Sequence, residues 1–495
     1  MIAALLALSI AFLVFHYVRL KRALHVFQLE GYKRSRFLRW CRQNPSAALF
    51  LAPATQKKPL VMTHRAHRLL ALAMWLSAAV LVGIVRLAAL SSGAAELLWW
   101  AIGALLLFAG APLAIAGTDV LLVPVERSVN RGFMRSAIAK LEEVAPVVIG
   151  VTGSFGKTST KFAIQRLLDG GIGVALATPG SFNNPLGVSR AINEQLDARN
   201  RFFVVEMGAY GEGEIAELCS FVHPTIGVLT SIGPAHLDRF ESMDVIRRAK
   251  YEIVASLPSG STAVMNCDDP EVRTLADATT AVDVVRYGID AAGEPHITAT
   301  DVNVSATGAS FVITDTRDDR SLPVRTKLLG KHSIGHVLAA VAVALAAGKQ
   351  LDDLKDAIET LTPVEHRLQL LEGSGGVTVI DDAYNSNPDG ADAALDVLAS
   401  MPARRRVVVT PGMIELGDRQ FAENERFGRR AAAVADVVVV VAKANREAIV
   451  SGARGARAEL ITVDSLAQAT ERVRTILGKG DVILFENDLP DHYEA

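Results

Sequence analysis

The chain has 495 residues, of which 50% are hydrophobic and 21% are charged, and its formal net charge at pH 7 is -2. One hydrophobic core does not organise a chain of this length, so we expect two or three domains, and the near balance of charge does not favour nucleic acid as a partner. The three cysteines, Cys41, Cys219 and Cys267, are far apart and form no CxxC pair. This spacing argues against a disulfide framework or a thiolate zinc site and fits a reducing compartment.

Three apolar stretches near the N-terminus are each about long enough to cross roughly 30 Å of hydrocarbon as a helix. They cover residues 2–18, 69–90 and 97–118. We therefore predict a membrane region over residues 1–135 with three transmembrane helices. The first stretch could also be a cleaved signal peptide, but no basic residue precedes its apolar core and no small-residue cleavage site precedes Arg19, so we favour an anchor.

The segment 21–68, between the first two stretches, is strongly basic, and its single acidic residue is Glu30. By the positive-inside rule we predict a cytoplasmic loop here, which places the chain after the third stretch in the cytoplasm. The segment also carries aromatic residues among its cations. That mixture suits either an amphipathic stretch lying on anionic lipid or a solvated loop, and both interpretations stay open.

Residues 146–168 have the pattern of a phosphate-binding loop. An apolar strand is followed by the tight turn Gly-Ser-Phe-Gly-Lys and then by a helix that begins at Thr158. In such a loop, glycines let the backbone amides turn towards phosphate oxygens, Lys157 adds charge, and Thr158 offers a hydroxyl to Mg²⁺. The residues predicted to bind the nucleotide here are Gly153, Ser154, Gly156, Lys157, Thr158 and Ser159.

Five further motifs follow this loop along the chain. They are TPGSFNNPLG at residues 178–187, EMG at 206–208, GPAHL at 233–237, AKYEI at 249–253 and DDAYNSNP at 381–388. EMG and GPAHL each come after an apolar stretch that we predict to be a strand. Together with the spacing TGxxGKT in the phosphate loop, this series resembles the Mur ligases of bacterial cell-wall synthesis, most closely those of the MurF type.

The resemblance implies an α/β fold in two parts after the membrane region. These are a phosphate-loop, ATP-binding central domain over residues 140–364 and a Rossmann-like C-terminal ligase domain over residues 365–495. The composition of the second part agrees, because apolar strands alternate with intervening helices there. Its predicted strands are 377–380, 406–410, 437–441, 460–463 and 482–485.

The resemblance also implies which residues form the site. Read singly, Glu206 could be a surface charge at a strand end, His236 a satisfied loop histidine, and Lys250 half of a helical salt bridge. Their order after a phosphate loop favours a site. By the resemblance, two Mg²⁺ ions would be bound by Thr158, Glu206, His236 and a carbamylated Lys250, and catalysis would depend on Lys157, Lys250 and His236. Arg367 would contact the phosphates of ATP, and Asp382 would contact its ribose. The substrate would be bound by Asn183, Asn184, Asn385 and Asn387.

Three features depart from the family pattern. Ser333 and His336 replace two asparagines of the family near the adenine, and residues 487–493 stand where a KGS segment is found in the family. The largest departure is at the other end of the chain. There, the apolar stretches occupy the place of a soluble domain that grips the UDP-sugar, so the resemblance does not identify the acceptor.

The implied activity is an ATP-dependent carboxylate–amine ligase that acts through an acyl phosphate. Its partners would be a cell-wall precursor acceptor and an amino acid or dipeptide, and it would be a multi-pass protein of the bacterial cytoplasmic membrane with its catalytic domains in the cytoplasm. One alternative is another membrane-linked amide ligase, which builds a γ-linked glutamate polymer or modifies a lipid-linked precursor. A second alternative is a non-catalytic scaffold, against which the intact Lys157, Glu206 and Lys250 argue.

Overall fold

The computed structural model describes residues 2–50 and 59–488, so residues 51–58 of the basic segment and most of the C-terminal segment 487–493 lie outside the described part. The chain divides into two compact units, Met1–Gly132 and Phe133–Ala495. The first unit is helical. The second contains two α/β domains.

The described residues of the first unit form five helices. The apolar sides of four of them meet in a core that includes Leu24, Phe27, Phe37, Leu69 and Ile115, all of them buried. The helices are α1 Ile2–Leu29, α2 Arg34–Gln43, α3 Pro45–Phe50, α4 His64–Ala89 and α5 Ala94–Val144, of which α5 continues into the second unit.

Two helices of the described part, α4 and α5, are long and apolar enough to cross a membrane, judged by length and composition. The sequence predicted three spans, so the number is corrected to two. The first predicted span, residues 2–18, lies within α1. The side chains of residues 2–10 lie outside the described part, and the rest of α1 carries the buried polar residues His16 and Arg19.

The predicted basic loop is corrected as well, because helices occupy most of its described residues. Several of its cations are also paired with acidic residues of α5. Arg34 and Arg65 lie 3.0 and 2.9 Å from the carboxylate of Asp119, and Arg68 lies 2.7 Å from that of Glu126. These ion pairs set two carboxylates against three of the cations that the sequence assigned to a solvated or lipid-facing loop.

The central domain is a mainly parallel sheet with helices on both faces. Its strands are β1 Val147–Thr152, β2 Val174–Ala177, β3 Asn200–Glu206, β4 Ile226–Leu229, β5 Thr262–Asn266, β6 Asp283–Gly288, β7 Ile297–Ser305, β8 Gly308–Asp315 and β9 Arg320–Thr326. Its helices are α6 Lys157–Leu168, α7 Pro185–Gln195, α8 Glu214–Val222, α9 Leu237–Phe240, α10 Met243–Ala255, α11 Pro270–Ala278, α12 Lys331–Ala346 and α13 Lys355–Glu359.

The strand order of this sheet is β2-β3-β1-β4-β5-β6-β7-β8-β9. The pairs from β2 to β7 are parallel, and β7, β8 and β9 pair antiparallel. Helices α6 and α12 pack on one face, and α7, α8 and α10 pack on the other. Because β1 lies between β3 and β4, the loop after β1 is flanked by the ends of both neighbours, where ligands bind in open α/β sheets.

The C-terminal domain is a six-stranded sheet in the order β10-β11-β15-β12-β13-β14, in which only the edge pair β10 and β11 is antiparallel. The five predicted strands are confirmed, with ends that move by two residues or fewer. The elements are β10 Gln369–Glu372, β11 Thr378–Asp382, α14 Pro388–Ser400, β12 Arg406–Thr410, α15 Gln420–Val434, β13 Val437–Val441, α16 Arg446–Gly452, β14 Glu459–Val463, α17 Leu466–Ile476 and β15 Val482–Glu486.

The composition of β13 reflects the cover of this sheet on both faces. All five residues of the strand are valine and all are buried, as expected for a parallel strand that is covered on both faces. Helices α14 and α15 pack on one face, and α17 packs on the other.

Candidate functional site

The predicted phosphate loop follows β1 and leads into α6. Gly153 and Gly156 have φ values of 149° and 77°, and a Cβ at Gly153 would lie 2.0 Å from Thr230 Oγ1. The loop is held by the segment after β4, because Ser154 Oγ donates to Gly233 O at 2.9 Å. Only glycine satisfies both the conformation and the close approach at Gly153.

Lys157 begins α6 and folds back over the loop. Its Nζ donates to Gly153 O at 2.7 Å and to Ser154 O at 3.1 Å. Burial lowers the pKa of this ammonium, and the nearby carboxylate of Glu206 opposes that effect. The cation is therefore close to the loop amides that would contact phosphate.

Glu206, the last residue of β3, is the centre of the site. Its side chain is almost fully buried, and its carboxylate accepts from Thr158 Oγ1 at 2.9 Å, Lys161 Nζ at 3.1 Å and Asn183 Nδ2 at 3.2 Å. Burial alone would raise the pKa of this carboxyl, but the charges of Lys161 and Lys157 and the hydrogen bonds lower it overall. An ionised carboxylate and the Thr158 hydroxyl thus lie side by side next to the loop.

Sequence reasoning missed Lys161, which is fully buried. Its Nζ also donates to Gly180 O at 2.5 Å. The available signal was its position one helical turn after Lys157, on the face of α6 that packs against the sheet. A lysine in a buried face requires an anionic partner, and here Glu206 is that partner.

His236 follows β4, and the structure places it against the C-terminal domain. Its Nδ1 is hydrogen bonded to the carboxylate of Glu415, and Arg239 Nη2 donates to the other oxygen of that carboxylate at 2.5 Å. Glu206 and His236 each follow a strand, as the sequence predicted, and the two strands, β3 and β4, lie on opposite sides of β1. Among the described residues, no three His, Cys, Asp or Glu side chains are grouped closely enough to hold a metal.

Lys250 lies on α10 and is 4% exposed. Its Nζ is 3.5 Å from Ala209 O and 5.3 Å from the centre of the Phe240 ring. Burial, and then the positive charge of Lys157, lower the pKa of Lys250 to about 7. A large fraction of this amine is therefore neutral and nucleophilic near neutral pH.

The first residues of the C-terminal domain reach the same region. Burial is the main cause that lowers the pKa of Lys157, and the positive charge of Arg367 lowers it further. Arg367 Nη1 donates to Asn385 O at 3.3 Å, and its guanidinium lies 4.4 Å from the centre of the Tyr384 ring. Asp382 Oδ1 accepts from Leu368 N at 3.1 Å, and burial raises the pKa of Asp382 to about 6.

The four asparagines predicted to bind substrate differ in their contacts. Asn183 donates to Glu206, and Asn385 contacts Arg367 through its backbone carbonyl. Asn184 and Asn387 cap helices α7 and α14, since their Oδ1 atoms accept from Gly187 N and Gly390 N. The two caps are each followed by a proline at the first helical position, which is the common sequence of a helix start.

The two positions that depart from the family pattern both lie on α12. His336 Nδ1 is 3.2 Å from Thr160 Oγ1, and its ring packs against Gly156 of the phosphate loop. Ser333 Oγ donates to Leu329 O at 2.6 Å. His336 thus supports the loop from the side of α12.

The donors around the loop fit Mg²⁺. Thr158 and Glu206 supply hard oxygen atoms, which this ion prefers. His236 offers a ring nitrogen, and Lys250 would become an oxygen ligand only as a carbamate. The residues present therefore suit a divalent cation bound together with a nucleotide phosphate.

Comparison with known proteins agrees with this geometry. The sequence model of the Mur ligase middle domain matches residues 151–344, and that of the Mur ligase glutamate ligase domain matches residues 366–486. A UDP-N-acetylmuramoyl-tripeptide–D-alanyl-D-alanine ligase of Mycobacterium bovis is 34% identical over 407 residues, which cover 75% of this chain and 78% of that protein. The chain belongs to the Mur ligase family.

Two solved structures resemble this Mur ligase. The MurF of Acinetobacter baumannii has 28% sequence identity and a TM-score of 0.65, with 72% of this chain and 77% of that chain covered. The MurF ligase of Thermotoga maritima in complex with ADP has 26% identity and a TM-score of 0.65, with 72% and 80% covered. This Mur ligase is an ATP-dependent ligase, and its N-terminal helical region takes the place of the UDP-binding domain.

The buried pair of Lys161 and Glu206 leads to a prediction about stability. Lys161→Met removes the cation but leaves the carboxylate buried, so we expect a loss of roughly 3–5 kcal/mol in the free energy of unfolding. The double variant Lys161→Met, Glu206→Gln removes both charges and should recover most of that loss. Thermal and denaturant unfolding of the full-length chain measure both effects. A single variant as stable as the wild type would contradict the role given to this pair.

Proposed function

We propose that this Mur ligase joins D-alanyl-D-alanine to a UDP-N-acetylmuramoyl-tripeptide, the activity that its Mycobacterium bovis relative is named for. The observation that carries the proposal is the intact cluster at the phosphate loop, where the buried carboxylate of Glu206 meets Thr158 and Lys161. A binding scaffold would not need a buried ion pair beside a phosphate loop. The names of the relatives favour this acceptor and amine over those of other amide ligases.

The proposed reaction has two steps. A carboxylate oxygen of the acceptor attacks the γ-phosphorus of ATP, the bond from that phosphorus to the bridging oxygen of ADP breaks, and an acyl phosphate forms. The amine then attacks the acyl carbon, phosphate leaves, and the amine loses a proton, which gives the amide. Negative charge gathers around the phosphoryl group in the first step, so the demands on the protein are electrostatic and positional.

The residues around the loop match those demands. Lys157 of the central domain and Arg367 of the C-terminal domain would supply two cations to the γ-phosphate, and the charge of Arg367 acts on Lys157. Thr158 and Glu206 would hold Mg²⁺, with His236 and a carbamylated Lys250 as ligands of a second ion, and the metal would supply further positive charge. Because Arg367 comes from the C-terminal domain, docking of that domain is needed to complete the set of cations.

Lys157→Ala tests this assignment. We expect at least a hundredfold loss of coupling, because the variant removes the charge that the loop directs at the phosphates, while thermal unfolding stays near that of the wild type. The assay follows ATP-dependent joining of UDP-N-acetylmuramoyl-tripeptide to D-alanyl-D-alanine by mass spectrometry of the product. Lys443→Ala, at an exposed lysine between β13 and α16, is the matched control and should be fully active. An active Lys157→Ala enzyme would reject the site.

We also propose that Lys250 is carbamylated. A neutral amine attacks the carbon of carbon dioxide, an N–C bond forms, and one proton is released, which leaves an anionic carbamate. Lys250 suits this reaction because it is buried, its pKa is about 7, and its only polar contact among the described residues is a long one to Ala209 O. The carbamate would supply the oxygen ligands that the unmodified side chain lacks.

Lys250→Ala should therefore lose coupling activity, and formate or acetate should restore part of it by supplying a carboxylate in the space of the carbamate. The carbamate itself is sought by ¹³C NMR of wild-type protein in ¹³C-bicarbonate, with Lys250→Arg as the control without a reactive neutral amine. Absence of both the rescue and the NMR signal would remove the carbamate from the mechanism.

We propose further that α4 and α5 insert into a membrane. Only 33% and 28% of the residues in their most apolar windows are buried, whereas a core helix of a soluble domain would be mostly buried. Large apolar side chains on these helices are exposed, for example Trp75 at 76%, Leu97 at 72% and Leu113 at 67%. Such an apolar surface is stable in the hydrocarbon core of a membrane. Since the ion pairs at Asp119 and Glu126 offset nearby cations, we assign these helices a tethering role.

A chain that starts at Phe133 tests the tether. Full-length protein should remain in the membrane pellet after carbonate extraction, because its apolar helices are in lipid, whereas the truncated chain should be soluble. Coupling of the soluble UDP-linked acceptor should agree within about threefold between the two, since the loop and its strand are complete in both. Extraction of the full-length protein by carbonate would refute insertion, and a large loss of coupling on truncation would show that the helical unit recognises substrate.

A further inference from the structure

The strongest contact between the two α/β domains centres on Glu415, in the segment that follows β12. Its carboxylate is hydrogen bonded to His236 Nδ1 and accepts from Arg239 Nη2 at 2.5 Å. The guanidinium of Arg239 lies 4.2 Å from the centre of the Tyr210 ring, and the Tyr210 and His236 rings meet edge to face at 5.0 Å. We refer to His236, Arg239, Tyr210 and Glu415 as the interdomain cluster.

The backbone at both ends of the central hydrogen bond is in the left-handed region. His236 has φ 54° and Glu415 has φ 63°, a conformation that residues other than glycine seldom adopt. It persists where the surrounding contacts impose it. Two strained residues that face each other across a domain boundary indicate that the imidazole is held there for a purpose.

The chemistry of the contact fixes the imidazole. Arg239 Nη2 donates to the second oxygen of Glu415 at 2.5 Å, so this side chain is the carboxylate partner of a guanidinium. A carboxylate can only accept, so the proton of the imidazole must be on Nδ1. In the neutral ring this leaves the lone pair of Nε2 free for a cation.

We propose that Glu415 is a positioning residue that fixes His236 in the tautomer and orientation in which its Nε2 binds a divalent metal. The inference rests on the proposed function, because it takes His236 as a metal ligand. A carboxylate that accepts from the second nitrogen of a ligating histidine raises the basicity of the ligand and fixes its orientation. Here the carboxylate comes from a different domain than the histidine.

This arrangement couples the metal site to the docking of the C-terminal domain. When that domain moves away, His236 loses both its fixed tautomer and its orientation. By thermodynamic linkage, a metal on Nε2 must then favour the docked state by the same factor by which docking favours metal binding. Because Glu415 and Arg367 are on the same domain, His236 is held ready to bind the metal only when Arg367 has also docked.

The test uses full-length protein and Mn²⁺ alone as the probe. Affinity is measured by titration, and a histidine nitrogen on the bound ion is detected by pulsed electron paramagnetic resonance. Glu415→Gln should weaken Mn²⁺ binding about tenfold or more, the usual effect of losing such a partner, and should diminish the nitrogen signal. Arg239→Gln is the matched control, because it removes the ion pair to the same carboxylate but leaves the contact to the imidazole. It should retain the nitrogen signal.

His236→Ala separates the possible failures. If this variant binds Mn²⁺ as tightly as the wild type, His236 is not a ligand and the metal site of the proposed function is wrong. If it binds weakly while Glu415→Gln keeps wild-type affinity and the nitrogen signal, only the positioning role is overturned. Equal weakening in Glu415→Gln and Arg239→Gln, with the signal kept in both, would reduce the cluster to a domain contact and also overturn the proposal. Should Glu415→Gln not fold, Glu415→Asp takes its place, and the same loss is expected because the shorter side chain cannot hold the ring.

Discussion

The burial of the Glu206 carboxylate at the end of β3 is the constraint on which the site depends. Moving a charge out of water costs several kcal/mol unless it is paired and hydrogen bonded. Lys161, Thr158 and Asn183 offset that cost from three directions. As a result, the carboxylate on β3 is bonded both to α6 and to the loop that precedes α7. It thereby fixes the first turn of α6, where the phosphate loop ends.

A second constraint comes from the C-terminal domain, which brings Arg367 and Glu415 to the central domain. Arg367 adds a cation near Lys157, and Glu415 holds His236. Neither domain alone contains all of the charges that phosphoryl transfer would require. The structure therefore gives a physical reason why a ligase of this kind is built from two α/β domains, since their docking decides when the charged groups are assembled.

Local patterns in the sequence were sufficient for part of this structure. The phosphate loop and the strands of the C-terminal domain can be predicted from short apolar runs and glycines, because these signals depend only on residues nearby in the sequence. Lys161 and Glu415 were missed because their partners are 45 and 179 residues away. The ion pairs of Asp119 likewise become visible only with the fold. The caps formed by Asn184 and Asn387 are local, and the Asn-Pro sequence at each was a signal for them.

The central claim is that Glu206, Thr158 and the phosphate loop form one metal–nucleotide site, and that His236, whose other ring nitrogen is bonded to Glu415, is a ligand of a second metal ion. A structure of the full-length protein with Mg²⁺ and a non-hydrolysable ATP analogue tests it most directly. We expect the phosphates at the amides of residues 153–158, a metal in contact with Thr158 Oγ1 and the Glu206 carboxylate, and Glu415 still bonded to His236 Nδ1. A nucleotide bound elsewhere, or a metal that contacts neither Thr158 nor Glu206, would contradict the account.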